Sequence, residues 1–372
     1  MSGGGLPLRE DLLGIRPYGA PELTVPVPLN VNENPYGPSP QVADEMAEVV
    51  RGLAGSLNRY PDREALALRG DLAAYLGHGL TTDRVWAGNG SNEVMLHVLQ
   101  AFGGPGRAVL SFEPTYSMYP AYARSTGTRW LGVPRAADFS IDLEEAVDVV
   151  RREAPSVTLL ASPNNPTGTV LPLHAVEAIC NASHGVVVVD EAYAEFRRAG
   201  VPSALTLLDA FPRLAVARTM SKAFGLAGVR LGYLAASPDL VDALRLVRLP
   251  YHLSAVTQSL ARVALAHAKE MLATVDLLRA ERDRTVAWLR GQGFRAADSD
   301  ANFVLFGMFG DSHSVWEGLL DQGVLVRETG PEGWLRVSIG TPDQMAAFRS
   351  ALESVTSDSG MVTAVRRREV AG

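Results

Sequence analysis

Between residues 40 and 260, short apolar runs alternate with longer amphipathic stretches, and this alternation restricts the possible folds more than any other feature. Within each run the apolar residues are consecutive, which is typical of strands buried on both faces. The stretches between the runs, such as 93–102 and 141–152, carry apolar residues at helical spacing. Strands and helices that alternate in this way predict an α/β fold with a mostly parallel sheet. The apolar runs lie at 85–87, 108–110, 157–160, 186–189, 214–217 and 231–235.

The pattern changes after residue 255, which indicates a second domain. The segments predicted there are a helical region at 255–290, short strands at 302–306, 324–327 and 335–339, and a helix at 342–355. The N-terminal residues are rich in Pro and Gly, whereas the C-terminal residues are polar and lack an apolar period. We therefore predict an extended arm over 1–35 with a short helix at 11–14, a large domain over 36–255, a smaller α+β domain over 256–355 and a disordered tail over 356–372.

The composition of the 372 residues argues against several classes of protein. A net charge of −7 is unfavourable for bulk binding of nucleic acid. The apolar runs are too short to cross a membrane, and the first residues lack the basic and apolar regions of a secretory signal. Cys180 is the only cysteine and the seven histidines are scattered, so we expect neither a disulfide nor a metal site. These features together predict a cytoplasmic location.

Lysine is nearly absent, since Lys222 and Lys269 are the only two in the chain. Arginine can replace lysine in ion pairs, but its guanidinium keeps its proton and cannot act as an amine nucleophile. The sequence around Lys269 predicts a solvent-exposed helix. Lys222 follows the apolar run at 214–217, within Thr-Met-Ser-Lys-Ala-Phe-Gly. We therefore infer that Lys222 forms a Schiff base with a carbonyl compound.

Polar or Gly-rich turns follow several predicted strands, where an open α/β sheet binds its ligand. Asp190 ends one strand and could pair with the protonated ring nitrogen of pyridoxal phosphate. Tyr193 and Asn165 could donate to the phenolate oxygen of that cofactor, and Tyr116 could stack on its ring. Its phosphate would fit a helix N-terminus that follows a strand. The expected phosphate contacts are Ser91, Asn92, Thr219, Ser221 and Arg230.

Each of these features alone has an ordinary explanation, as a turn, a helix cap or a core side chain. Their order along the chain favours a cofactor site. Together they resemble the motifs of fold-type-I pyridoxal-phosphate aminotransferases. These motifs are Gly-Asn-Gly-Ser-Asn-Glu (88–93), Ser-Pro-Asn-Asn-Pro-Thr-Gly (162–168), Val-Val-Asp-Glu-Ala-Tyr (188–193), Arg-Thr-Met-Ser-Lys-Ala-Phe-Gly (218–225) and Gly-Val-Arg-Leu-Gly-Tyr (228–233).

Narrower motifs resemble the histidinol-phosphate aminotransferase family, over about residues 8–355. They are Leu-Asn-Val-Asn-Glu-Asn-Pro (29–35), Asn-Arg-Tyr-Pro-Asp (58–62), Ser-Asp-Ala-Asn-Phe-Val (299–304) and Leu-Arg-Val-Ser-Ile-Gly (335–340). The resemblance implies a seven-stranded sheet in the large domain and a homodimer. It also implies ping-pong transamination between histidinol phosphate or imidazole-acetol phosphate and glutamate or 2-oxoglutarate, through an aldimine on Lys222.

The resemblance assigns roles to individual residues. Lys222 would also move the proton between Cα and C4′ of the intermediates, as general base and acid. Tyr60 would reach the phosphate of the cofactor in the neighbouring subunit. Arg336 would clamp the α-carboxylate of glutamate, and Arg327 would bind the substrate phosphate or the distal carboxylate of glutamate. The remaining cofactor contacts would be those expected above.

The N-terminal motif departs from the family in one respect. Some members place a tyrosine directly after its Asn-Glu, where the ring closes over the substrate. Here Asn34 follows Glu33, and either Tyr36 or Tyr18 could take that role. The substrate alternatives are therefore an aromatic amino acid, with phenylalanine or tyrosine in the same pocket, or a phosphoamino acid that is decarboxylated. A regulatory module without turnover is the other class, but we expect no DNA-binding segment before the arm.

Overall fold

The computed structural model describes residues 6–17 and 19–358. Over these residues the strands are β1 (Val27–Pro28), β2 (Val85–Asn89), β3 (Ala108–Glu113), β4 (Arg129–Pro134), β5 (Val157–Ala161), β6 (Val186–Asp190), β7 (Leu214–Thr219), β8 (Leu231–Ala235), β9 (Arg295–Ala296), β10 (Phe303–Gly307), β11 (Val324–Leu325), β12 (Arg327–Glu328) and β13 (Trp334–Ser338). The α-helices are α1 (Pro40–Ala54), α2 (Leu66–Leu76), α3 (Gly90–Phe102), α4 (Tyr119–Ser125), α5 (Leu143–Glu153), α6 (Leu173–Ala182), α7 (Pro238–Val247), α8 (Ala255–Ala266), α9 (Ala268–Met271), α10 (Ala273–Gly291), α11 (Ser312–Asp321) and α12 (Pro342–Asp358).

Seven of the strands in the described residues form one sheet, in the order β2-β8-β7-β6-β5-β3-β4. Strand β8 runs antiparallel to both of its neighbours, and the other neighbouring pairs are parallel. The predicted α/β fold with a mostly parallel seven-stranded sheet is therefore confirmed. The apolar runs did not reveal β4, because this strand lies at the edge of the sheet and only Val133 is buried along it.

Helices cover both faces of this sheet because successive side chains of a strand point in opposite directions. Val187 and Val189 of β6 pack in the same apolar core as Ile179 of α6. Val186 and Val188 of the same strand belong to a second core. The second core includes buried residues of α3, α4 and α7, which lie on the opposite face. Consecutive valines in β6 thus serve two cores at once.

A four-stranded antiparallel sheet, β12-β13-β10-β9, forms the centre of the C-terminal part. Helices α10, α11 and α12 bury apolar residues against it. Strand β1 pairs in parallel with β11, and Leu29 belongs to the same core. The N-terminal segment is thus hydrogen-bonded to the C-terminal part before the chain enters the large sheet.

The helical region predicted over 255–290 is divided into α8, α9 and α10. Ala261 and Ala264 of α8 pack in a core of the large sheet, whereas Val275 and Leu278 of α10 pack in the C-terminal core. The helical region is interrupted between residues that pack in two different cores, and helical periodicity alone does not locate such an interruption. The domain boundary at residue 255 stays a prediction.

The two ends of the described chain differ slightly from expectation. A short 3₁₀ helix covers Glu10–Leu12, where a helix was expected at 11–14. Helix α12 continues to Asp358 and takes in the first residues of the predicted tail, because Thr356 is buried and its hydroxyl lies 2.7 Å from the carbonyl of Leu352. Residues 359–372 of that tail lie outside the described residues. No helix in the described ranges is long and apolar enough to cross a membrane.

Candidate active site

The large sheet, the N-terminal segment and the C-terminal sheet enclose a cavity of about 250 Å³. It lies at the carboxyl ends of β5, β6 and β7 and at the first residues of α3. Parallel strands present their ends at one edge, so residues far apart in sequence meet there. The predicted site residues that line the cavity are Ser91, Asn92, Tyr116, Asn165, Asp190, Tyr193, Thr219, Ser221, Lys222, Arg230, Arg327 and Arg336.

Lys222 lies in the turn after β7, and its amine faces this cavity. Nζ donates a hydrogen bond to the carbonyl of Val31, at 3.0 Å. Burial lowers the pKa of Lys222 to about 8, and the nearby positive charge of Arg336 acts in the same direction. A smaller share of the amine therefore carries a proton at neutral pH than in an exposed lysine. This is the property that a nucleophilic amine requires.

Asp190 is the last residue of β6 and is buried. Burial raises the pKa of its carboxyl group to about 6, although two hydrogen bonds oppose this effect. The hydroxyl of Tyr119 donates to Oδ2 at 2.9 Å, and the backbone N–H of Ala192 donates to Oδ1 at 3.2 Å. A carboxylate that is costly to charge is well suited to a cationic partner such as a pyridinium N–H.

Tyr119 was not predicted as a site residue. It is buried at the start of α4, and its only sequence signal is the series of tyrosines that follows β3. Two further tyrosines of that series hold Asn92, since the hydroxyls of Tyr116 and Tyr122 donate to its Oδ1 at 3.3 and 2.8 Å. The Nδ2 group of Asn92 is thus the end oriented to donate elsewhere.

The turn after β6 is held by the buried carboxylate of Glu191. Arg218 donates to it at 2.7 Å and Arg197 at 3.1 Å. Burial alone would raise the pKa of Glu191, but the two arginines outweigh it and keep the pKa below its ordinary value. This ion network fixes the backbone that carries Asp190 and Tyr193 into the cavity.

Glycines shape the part of the cavity at the start of α3. A Cβ atom on Gly232 of β8 would lie 2.1 Å from the backbone nitrogen of Ser91, and one on Gly90 would lie 2.7 Å from Nη2 of Arg230. Gly90 also has a φ of 79°, which L side chains rarely adopt. The hydroxyls of Thr219 and Ser221 lie 3.0 Å apart nearby. The backbone N–H groups at a helix start, two hydroxyls and a guanidinium form a cradle that fits a phosphate.

Two arginines of the C-terminal sheet face the same cavity. Arg336 of β13 is buried, donates to Oδ1 of Asn165 at 2.5 Å, and lies over the ring of Phe303. Arg327 of β12 is directly opposite Arg336 in the antiparallel register. Residues directly opposite each other project from the same face of a sheet. Two positive charges in this arrangement are unfavourable unless they share an anion.

Of the predicted contacts within the described residues, Tyr60 and Tyr36 do not line the cavity. Tyr60 is 79% exposed and stacks on Tyr251, with ring centroids 4.4 Å apart. Tyr36 is half-buried against the C-terminal core. Tyr18 lies outside the described residues. The roles expected of these three tyrosines stay predictions.

The amine of Lys222, the buried carboxylate of Asp190 and the glycine-lined cradle at Gly90 together fit pyridoxal phosphate. On an α/β sheet of this topology they define the chain as a fold-type-I pyridoxal-phosphate enzyme.

Comparison with known proteins agrees with this class. The family model described as aminotransferase class I and II matches residues 24–352. The histidinol-phosphate aminotransferase of Thermobifida fusca is 62% identical over 351 residues, covering 94% of this chain and 96% of the relative. That of Frankia casuarinae is 57% identical, covering 94% and 90%. The crystal structure of histidinol-phosphate aminotransferase from Sinorhizobium meliloti, in complex with pyridoxal-5'-phosphate, superposes with a TM-score of 0.81 at 27% identity, covering 90% of this chain and 92% of that chain.

The chain therefore belongs to the class I and II aminotransferase family, and within it to the histidinol-phosphate aminotransferases. The predicted family, the transaminase activity and the cofactor are confirmed.

Proposed function

We propose that the protein transfers an amino group between histidinol phosphate and 2-oxoglutarate in histidine biosynthesis. The observation that carries this proposal is the pair of opposed arginines, Arg327 and Arg336, which line the same cavity as Lys222. Histidinol phosphate has a phosphate and no α-carboxylate, whereas glutamate has two carboxylates. Guanidinium groups bind either anion through paired hydrogen bonds, so one pocket can serve both substrates.

The proposed roles of the other residues follow from their positions. Pyridoxal phosphate, when bound, supplies an electron sink for the carbanion formed at Cα of the substrate. Lys222 would hold the cofactor through its amine and would carry a proton between Cα and C4′ as general base and acid. Asp190 would keep the ring nitrogen protonated, Tyr193 and Asn165 would donate to the phenolate oxygen, and Tyr116 would stack on the ring. The phosphate contacts are Ser91, Asn92, Thr219, Ser221 and Arg230.

Arg327→Gln is expected to raise the KM for histidinol phosphate about 10- to 100-fold, the cost of losing a hydrogen bond between charged groups. The single-turnover rate with phenylalanine, which has no phosphate, should change little. Both are measured by following the absorbance of the bound cofactor as each amino donor is added without a keto acid. Arg295→Gln is the matched control, because Arg295 is an exposed arginine on β9 of the same sheet.

Measurements on the wild-type enzyme distinguish between the substrate alternatives. A higher kcat/KM for phenylalanine than for histidinol phosphate would make it an aromatic aminotransferase. Release of carbon dioxide without 2-oxoglutarate would make it a decarboxylase.

We further propose a homodimer in which Tyr60 completes the site of the partner subunit. The exposed stack of Tyr60 on Tyr251 supports this, because aromatic residues are enriched in protein interfaces relative to the rest of the surface. We also propose that the protein is located in the cytoplasm, as expected from its composition. Cell fractionation checks this location.

Mixing two variants tests the role of Tyr60. Tyr60→Phe should weaken cofactor binding about tenfold through loss of one charge-assisted hydrogen bond. The Lys222→Ala variant should be inactive, but each of its subunits should still provide Tyr60 to the site of a partner subunit. Unfolding and refolding the two variants together yields mixed dimers, and if the site is shared, one of their two sites carries neither substitution. At a limiting concentration of pyridoxal phosphate, activity that recovers on mixing supports the shared site, and activity no higher than that of Tyr60→Phe alone contradicts it.

A further inference from the structure

Asn32 connects the N-terminal segment to both sheets from a position that is 2% exposed. Its backbone N–H donates to Oγ of Ser338 on β13 at 2.8 Å, and its carbonyl accepts from Nδ2 of Asn302 at 3.1 Å. Its side chain contacts Tyr193, which follows β6. The φ of Asn32 is 57°, a conformation that asparagine tolerates better than most residues. Such strain persists only where surrounding contacts compensate it.

The hydrogen bonds around Asn32 determine which way its amide points. A backbone N–H can only donate, so the oxygen of Ser338 accepts from it. The hydroxyl proton of Ser338 then goes to Oδ1 of Asn32, at 2.9 Å. This leaves Nδ2 of Asn32 facing the hydroxyl of Tyr193, at 3.1 Å. If the amide of Asn32 had the opposite orientation, Oδ1 would face Tyr193 and would no longer accept the hydroxyl proton of Ser338.

The direction of this last bond has a chemical consequence. Because Nδ2 carries only donors, the Tyr193 oxygen must accept from Asn32, and the phenol proton points away from it. We propose that Asn32 is a positioning residue that directs the hydroxyl proton of Tyr193 toward the phenolate oxygen of the bound cofactor. The inference rests on the role proposed above for Tyr193. It also means that the C-terminal sheet, through Ser338, acts on the protonation chemistry of the site.

The neighbouring residue strengthens the argument. The carbonyl of Val31 accepts from Nζ of Lys222, so residues 31 and 32 contact both the amine and the phenol. A hydrogen-bond donor to the phenolate oxygen of the bound cofactor would lower the affinity of that oxygen for the proton that lies between it and the nitrogen of Lys222. The other charged groups near Lys222 are Arg336, Glu33 and Arg230, with Asp190 in the same cavity.

The test uses the pH midpoint of the visible absorbance change of the bound cofactor, in the holoenzyme without substrate. Asn32→Asp replaces the donor by an acceptor that draws the Tyr193 proton to itself. Asn32→Gly removes the side chain but keeps the backbone, since glycine readily adopts the observed φ. Tyr193→Phe removes the donor itself. We expect the midpoint to rise by about one pH unit in Asn32→Asp and in Tyr193→Phe, and by less in Asn32→Gly.

The double variant Asn32→Asp with Tyr193→Phe separates proton direction from simple charge. If Asn32 acts through Tyr193, the double variant should have the midpoint of Tyr193→Phe, since the two effects share one path. If Asn32→Asp raises the midpoint equally in both backgrounds, its negative charge alone is responsible and the inference is wrong. If Tyr193→Phe leaves the midpoint unchanged, the proposed role of Tyr193 fails instead. Where Asn32→Asp does not fold, Asn32→Gly in both backgrounds gives the same comparison.

Discussion

Lys222→Ala is expected to lower the rate of transamination by on the order of 10⁴-fold or more, because it removes both the nucleophile and the proton carrier. The depressed pKa of this amine, about 8, indicates that the cavity destabilises its charged form relative to that of an exposed lysine. Lys222→Arg should be equally inactive, since a guanidinium cannot lose its proton at neutral pH. Single-turnover kinetics with histidinol phosphate measures the loss, and cofactor absorbance shows whether the variant still binds pyridoxal phosphate.

The chain provides its own control for this prediction. Lys269→Ala removes the other lysine, which lies in α9, and should leave the rate unchanged. Reduction of the wild-type holoenzyme with borohydride, followed by mass spectrometry, should find the cofactor attached at Lys222. Attachment at Lys269, or full activity of Lys222→Ala, would overturn the assignment of the nucleophile.

Asp190→Asn is expected to reduce activity while increasing the stability of the cofactor-free protein. Catalysis should fall about 10²- to 10³-fold, because the cofactor ring loses a buried anionic partner. Removing the charge should also relieve the cost of burying it. The raised pKa of Asp190, about 6 against an ordinary 3.8, corresponds to about 3 kcal/mol of destabilisation at pH 7.5.

The effect of Asp190 on the free energy of unfolding depends on pH, and proton binding determines its sign. Between the two pKa values the folded protein binds more protons at Asp190 than the unfolded chain does, so the group lowers stability as the pH rises. We expect the advantage of Asp190→Asn to grow by roughly 1 kcal/mol between pH 5 and pH 7.5, as measured by urea unfolding of the cofactor-free proteins. A constant difference across this range would mean that Asp190 is not the titrating group. Asp239→Asn, an exposed substitution at the start of α7, serves as the matched control.

The sequence alone was sufficient for the α/β class and for most strands of the large sheet, and it led to the prediction that Lys222 is the nucleophile. These conclusions depend on local signals: consecutive apolar residues buried on two faces, turns that follow strands, and a chain with only two lysines. Strand ends of a parallel sheet meet at one edge whatever the details of packing. For this reason Asp190, Tyr193, Asn165 and Lys222 could be placed in one cavity before their distances were known.

Other features depend on which elements become neighbours, and only the tertiary structure decides that. The edge strand β4 carries no continuous apolar run, so its pattern is weak. The hydrogen bond from Tyr119 to Asp190 joins residues 71 positions apart, and Asn32 meets Ser338 across 306 positions. Arg327 and Arg336 became a pair through the register of β12 and β13. Periodicity records whether a side chain is buried, but not which partner it meets, because the partner is set by the packing of the whole chain.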